Sequence, residues 1–212
     1  MRKILFVALF VMIVIVQNFC GAATIEEARF NGDEKLVYPV VHMADVEIEK
    51  KINSKIQEEL SSFIKGIHYA AQYENHKVLD ARTSYEVACN GAGNTVILSI
   101  VMTESRYFEG AAHPATWQHT LNFNMSSGNR MGLDYLTDVG EGVSVEELKS
   151  RLERKLREHA ERKGLYLFSD ALPLKNLPEN FYWDSNLHVH FIFQHYEVAP
   201  YAAGIIDVDI DA

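Results

Sequence analysis

Two periodicities divide the chain. From Thr95 to Thr103, Val96, Leu98, Ile100 and Met102 alternate with Thr95, Ile97, Ser99, Val101 and Thr103, so a strand there has one wholly apolar face and one mixed face. Trp117, His119, Leu121, Phe123 and Met125 share one face of a second strand running from Thr116 to Met125. Ile48, Ile52, Ile56, Leu60, Phe63, Ile64 and Ile67 fall instead on one stripe of a helix, capped by Asp45 and reaching about Ala71. A second helix opens at the Ser144-Val145-Glu146-Glu147 capping box, carries Leu148, Leu152 and Leu156 at a spacing of four, and stops at Gly164. Its outer face is dense with charge, as a solvated face is.

Shorter strand signals surround these. Thr24 to Phe30 and Lys35 to Val41 flank the turn Asn31-Gly32-Asp33, with Pro39 placing the second strand at an edge or an end. Ser84 to Ala88 joins the strand from Thr95 to Arg106 through Asn90-Gly91-Ala92-Gly93-Asn94, which is a hairpin loop and lacks the third glycine and following helix of a dinucleotide site. A short extended piece is predicted over Met131 to Leu136. Asn180 to Trp183 pairs with Leu187 to Phe193 across Asp184-Ser185-Asn186, and Ile205 to Ile210 forms a last strand. Strand pairs grouped around two helices predict an α+β fold, a largely antiparallel sheet with two main helices packed on it. A length of 212 residues suits one domain over residues 24–212, with an N-terminal part of about 24–90 and a C-terminal part of about 91–212.

The first 23 residues change the picture. Arg2 and Lys3 precede an unbroken apolar run from Ile4 to Val16, and Gly21-Ala22-Ala23 offers small residues at a cleavage point before Thr24. This is the pattern of a secretory signal peptide, and the run is shorter than the roughly 20 residues of a membrane span. An uncleaved anchor is the alternative. Phe19 and Gln17 do not fit a lipoprotein signal, so Cys20 goes with the leader. Cys89 is then the only thiol, no internal disulfide can form, and an exported domain must be held by its core. Cleavage takes Arg2 and Lys3 from the 20 basic residues and leaves 18 against 29 acidic ones, a formal net of −11. Such a surface repels nucleic acid and anionic lipid and favours cationic partners.

Candidate chemistry is sparse. The stretch Tyr107 to Trp117 is too long and too apolar for an ordinary hairpin turn, and it presents His113 from an extended backbone because Pro114 follows. Gly110 eases the turn, and Ala111 and Ala112 leave room for another backbone to approach. His113 reads as a hydrogen-bonded loop residue rather than a general base, since no nucleophile motif accompanies it. His188 and His190, two apart on a strand, point to one face and are metal candidates if His113 or His195 joins them; otherwise that face merely holds histidines. Tyr196, Pro200 and Tyr201 shape the bend before the last strand, and the two tyrosines double as candidates for partner contact. Cys89 reads as a small buried residue. There is no Gly-x-Ser-x-Gly elbow, no His-Glu-x-x-His and no phosphate loop. No catalytic residue and no cofactor are assigned.

Several blocks in order resemble one family: Tyr38-Pro39-Val40 before the Ile52-Asn53 helix, the Gly110-Ala111-Ala112-His113-Pro114 loop, Phe123 to Leu136 with Gly128 and Asp134, Asn180-Phe181-Tyr182, and Tyr196 to Gly204. Together they resemble the secreted domain shared by the anti-sigma factor RsiV and the non-catalytic part of the peptidoglycan deacetylase PdaC. The resemblance implies a small extracytoplasmic α+β domain that, in the RsiV branch, captures the basic protein lysozyme. The sigma-binding segment and membrane span of RsiV-like proteins, and the deacetylase domain of PdaC-like ones, have no counterpart in this sequence. The expectation is therefore a periplasmic or secreted, non-catalytic binding module without stable membrane insertion after cleavage. Its partner would be lysozyme or another basic extracytoplasmic protein, met through His113, Tyr196 and Tyr201. The competing expectation is a metal-dependent or other hydrolase acting on cell-wall glycan, and a third is a purely structural envelope protein.

Overall fold

A computed structural model describes residues 21–73, 77–139 and 143–212; the leader up to Cys20, with its basic and apolar segments, lies outside the described residues. Strands β1 (Thr24–Arg29) and β2 (Val37–His42) form a hairpin closed by a short 3-10 turn at Phe30–Gly32, in which Asn31 takes a positive φ of 50°. Ala23, just ahead of the expected cleavage point, is buried and donates its N–H to Asn90 O at 2.8 Å. Asp45 caps the helix α1 (Val46–Tyr73), its Oδ1 accepting from the N–H groups of Glu47 and Ile48. Of the predicted stripe, Ile52, Ile56, Leu60, Phe63, Ile64 and Ile67 are buried, and Ile48 is half-buried against the same core.

The four-stranded antiparallel sheet runs β3 (Val78–Asn90), β4 (Ile97–Phe108), β5 (Ala115–Asn124) and the two-residue β6 (Asn129–Arg130). Register pairs Leu98 with Phe123, Ile100 with Leu121, Met102 with His119 and Glu104 with Trp117. In a pleated pair these residues share one face. That face packs on α1, and Ile52, Ile56, Leu98, Ile100, Met102, Leu121 and Phe123 form one core with Val41. Cys89 is buried and unpaired, with Sγ 3.4 Å from Ile97 O. Strand β3 starts six residues before the expected Ser84, because Val78 to Thr83 pair with the far end of β4 although their own sequence does not alternate regularly. The extended piece expected over Met131 to Leu136 is not a strand: pairing stops at Arg130, and Tyr135–Val139 is a π-helical turn.

Helix α2 (Val145–Lys163) is capped by Ser144, whose side chain accepts from Glu147 N, and ends at Gly164 in the left-handed region, φ 64°. It buries Leu148, Leu152, Leu156 and Ala160 against a three-stranded antiparallel sheet of β7 (Phe181–Trp183), β8 (Val189–Phe193) and β9 (Ile206–Asp209). The fold is α+β as expected, with each main helix on its own sheet and three sheets in place of one. Among the described residues no helix is long and apolar enough to cross a membrane.

Side chains rather than strands join the two halves. Strand β6 is too short to cover the outer edge of β5, which would leave backbone groups unpaired. Gln194 closes part of that edge with a pair of bonds, Gln118 N–H donating to its Oε1 at 3.0 Å and its Nε2 donating to Gln118 O at 2.7 Å. Asn180 Oδ1 accepts from Thr120 N, Arg130 donates to Thr120 O, and His195 Nδ1 donates to Thr116 O. The outer edge of β7 is closed in the same way from the mixed face of β4 and β5. Asn122 Nδ2 donates to Phe181 O at 2.6 Å, Trp183 N–H donates to Ser99 Oγ, and Ser99 Oγ donates to Asn122 Oδ1 at 2.8 Å.

Candidate functional site

The loop from β4 to β5 and the segment between β8 and β9 meet at one end of the molecule. His113 stacks on Tyr201 with centroids 3.7 Å apart, His195 stacks on the same tyrosine at 4.3 Å, and Tyr196 lies tilted at 5.7 Å. Hydrogen bonds hold the group, since Tyr201 Oη and His113 Nδ1 both donate to Pro114 O, at 3.2 and 3.0 Å. Tyr196 has a φ of 64° and is 58 % exposed. The fold thus brings together the three residues singled out from the sequence, His113, Tyr196 and Tyr201, and adds His195. The close backbone approach expected at Ala111 and Ala112 is not found: both are exposed, and no atom lies within 4 Å of a Cβ built on Gly110.

Beside Tyr196 opens a groove of about 540 Å³ between the segment from Phe168 to Glu179 and the segment from Phe193 to Val198. Asp170, Glu179 and Glu197 line it against a single lysine, Lys175. Burial raises the Glu197 carboxyl above its ordinary range, opposed by the bond its Oε2 accepts from Gln194 N at 2.7 Å. Aromatic rings next to carboxylates suit a Lys or Arg side chain, which can stack on the one and pair with the other.

His188 and His190 lie on the face of the second sheet opposite Val189, Phe191 and Val208, which pack with α2, and each has its own carboxylate. His188 Nδ1 is 3.1 Å from Asp209 Oδ2 and His190 Nδ1 is 2.9 Å from Asp207 Oδ1. Tyr182 stacks on His190 and donates its hydroxyl to Asp207 Oδ2 at 2.5 Å, and burial together with Asp207 pushes its phenol far up. Neither His113 nor His195 joins this pair; both rings are spent on Tyr201. His190 Nε2 is buried without a hydrogen-bond partner, and a pocket of about 340 Å³ separates it and Asp207 from Lys155, His159 and Arg162.

These charges predict a pH dependence. Burial lowers the tendency of His190 to charge, but Asp207, Asp209 and Asp184 outweigh it and leave its pKa raised. A raised imidazole contributes stability that is fully present below its unfolded pKa of about 6.5 and is lost as the pH climbs through the folded value. His159 runs the other way, lowered first by burial and then by Arg162 and Lys163, so the net curve mixes both. The difference between the wild type and His190→Gln isolates one of them. In thermal unfolding the advantage of the wild type is expected to be larger at about pH 5.5 than at about pH 8.5. An advantage that grows with pH would show His190 to be held neutral.

A third group was not picked out from the sequence. Glu59 on α1, Glu104 on β4 and His119 on β5 offer ligand-type atoms all within 4.8 Å of one another, the only such group of three among the described residues. The Glu104 carboxylate beside it raises the pKa of His119 against the opposing effect of burial. The available signal was a charged residue at an inward position of an apolar alternation: Glu104 follows Leu98, Ile100 and Met102 in phase, and His119 stands between Trp117 and Leu121.

Comparisons with known proteins agree with this architecture. Residues 30–116 match the family described as Deacetylase PdaC, and residues 134–212 match the one described as Protein of unknown function (DUF3298). The chain is thus similar to these two families in turn, one over each of its parts. A DUF3298 family protein from Bacteroides fragilis superposes with a TM-score of 0.54 at 16% identity, covering 88% of this chain and 87% of its own. A DUF3298 family protein from Pseudomonas aeruginosa gives 0.50 at 12% identity, covering 89% and 88%. At such identities the likeness is one of fold. A comparison with curated proteins gave no match.

Proposed function

We propose that this PdaC/DUF3298-like chain is an exported, non-catalytic binding module of the cell envelope that recognises a basic protein, lysozyme-like or otherwise wall-active. One observation carries the reading: the exposed ring of Tyr196, backed by the stacked His113, Tyr201 and His195, stands at the rim of a groove whose charged lining is mostly carboxylate. A rigid aromatic platform contributes contact area at little entropic cost, and the carboxylates choose the sign of the partner. The acidic balance of the whole chain, 29 acidic against 20 basic residues, favours the same encounter over longer range.

Titration calorimetry with a lysozyme tests the proposal directly. Saturable heat is expected, with association that slows as the Debye length shortens from about 10 Å at 0.1 M salt to about 3 Å at 1 M. No complex at high micromolar concentration removes lysozyme as the partner. The match to the deacetylase PdaC keeps a competing reading in view, a metal-dependent or other hydrolase of wall glycan. Turnover in a peptidoglycan release assay by the purified chain would decide for it.

A further inference from the structure

Three elements converge where Glu59, Glu104 and His119 meet, and the details there do not suit a closed ion pair. His119 Nε2 is 3.4 Å from Glu104 Oε2, and its Nδ1 is 3.8 Å from Glu59 Oε1. Both separations exceed the 2.7–3.2 Å of ordinary N–H···O bonds, and one ligand-type atom of each residue lies within 4.8 Å of those of the other two. Glu104 is only 6 % exposed, yet its Oε1 has no hydrogen-bond partner. A buried carboxylate oxygen without a partner is costly and rare in native proteins. The basic groups nearby are turned elsewhere. Arg130 feels the charge of Glu59, but its guanidinium donates to Thr120 O and lies over the Phe123 ring. The guanidinium of Arg106 lies over Trp117, with its centre 4.8 Å from the ring centroid.

We infer that Glu59, Glu104 and His119 form a binding site for a divalent transition-metal cation. Two carboxylates and one imidazole are a mixed oxygen and nitrogen set, which suits zinc first and manganese second, and their two negative charges match the ion. In a tetrahedral site with bonds of about 2.0–2.1 Å the ligand atoms stand roughly 3.3 Å apart. The ligand atoms, which lie within 4.8 Å of one another, therefore draw closer on binding. Glu59 supplies that movement, since its side chain on α1 is one-third exposed. His119 is exposed to a similar degree, so the ion enters from solvent and three protein ligands leave a fourth position for water. The site ties α1 to the middle of the first sheet and is separate from both the His113–Tyr201 platform and the His188–His190 pair.

The test loads the purified chain with zinc, removes free metal by dialysis, counts what remains by mass spectrometry, and repeats the loading with cobalt to read its visible spectrum. About one zinc per chain is expected for the wild type and for His188→Ala, with visible bands of four- or five-coordinate cobalt. His119→Ala is expected to retain none. Glu59→Gln changes a partly exposed helix position without disturbing the core, so its expected loss of metal cannot be put down to unfolding, which circular dichroism checks. Absence of retained zinc in the wild type overturns the inference. So does retention that survives both His119→Ala and Glu59→Gln, or that disappears with His188→Ala.

Discussion

Replacing Asn122 by alanine is expected to destabilise the protein by about 2–5 kcal/mol, as measured by urea or thermal unfolding. Asn122 is 1 % exposed and is the hinge of the contact between the two sheets, accepting from Ser99 Oγ and donating to Phe181 O. Truncation leaves Phe181 O without its donor and the Ser99 hydroxyl proton without its acceptor, and each buried loss costs about 1–3 kcal/mol because water cannot replace the asparagine. Ser99 is itself fully buried and also serves Trp183 N, so the loss spreads to the next residue of β7. Set against a total stability of about 5–15 kcal/mol for a domain, this is a large fraction. Asn122→Asp keeps the acceptor and removes the donor, and it is expected to be at least as harmful because it buries a charge. A cost below about 0.5 kcal/mol for Asn122→Ala would mean that the halves are not joined through these side chains.

Tyr201→Ala is expected to weaken binding of the basic partner by about 2 kcal/mol or more, roughly 30-fold in Kd. Tyr201 is the ring on which His113 and His195 both stack, and its hydroxyl holds the loop through Pro114 O. Removing it takes away an aromatic anchor and frees the loop that presents His113. Tyr196→Ala removes the exposed ring and is expected to act in the same direction, with the change falling mainly in the dissociation rate. Glu179→Gln in the groove is expected to alter chiefly the on-rate and its salt dependence. Tyr166 is 73 % exposed and lies with Gly164 and Leu165 beyond the end of α2, so Tyr166→Ala serves as a control that leaves binding unchanged. Equal losses for Tyr166→Ala and Tyr201→Ala would place the contact surface elsewhere.

Much of this protein is determined locally. The stripe from Ile52 to Ile67, the caps at Asp45 and Ser144, the stop at Gly164 and the alternation in Leu98 to Met102 each depend on residues within a few positions of one another. Backbone geometry sets the direction of successive side chains, so a period of 3.6 or 2 already says which of them face a core. Where that signal is absent the sequence misleads. Val78 to Thr83 lacks a regular alternation and is held as a strand by β4 beside it, and Met131 to Leu136 reads as extended but finds no strand to pair with beyond Arg130. The candidate site was legible in part for the same reason. A histidine before a proline and tyrosines at a glycine-ended bend announce themselves locally, whereas the stacking of His113 on Tyr201, 88 positions away, does not. The division into three sheets, the use of Asn122, Gln194 and Asn180 to close strand edges, and the meeting of Glu59, Glu104 and His119 depend on register and on the packing of α1 across the sheet. Those are long-range contacts, chosen by the burial of whole faces together, and no short stretch of the chain contains them.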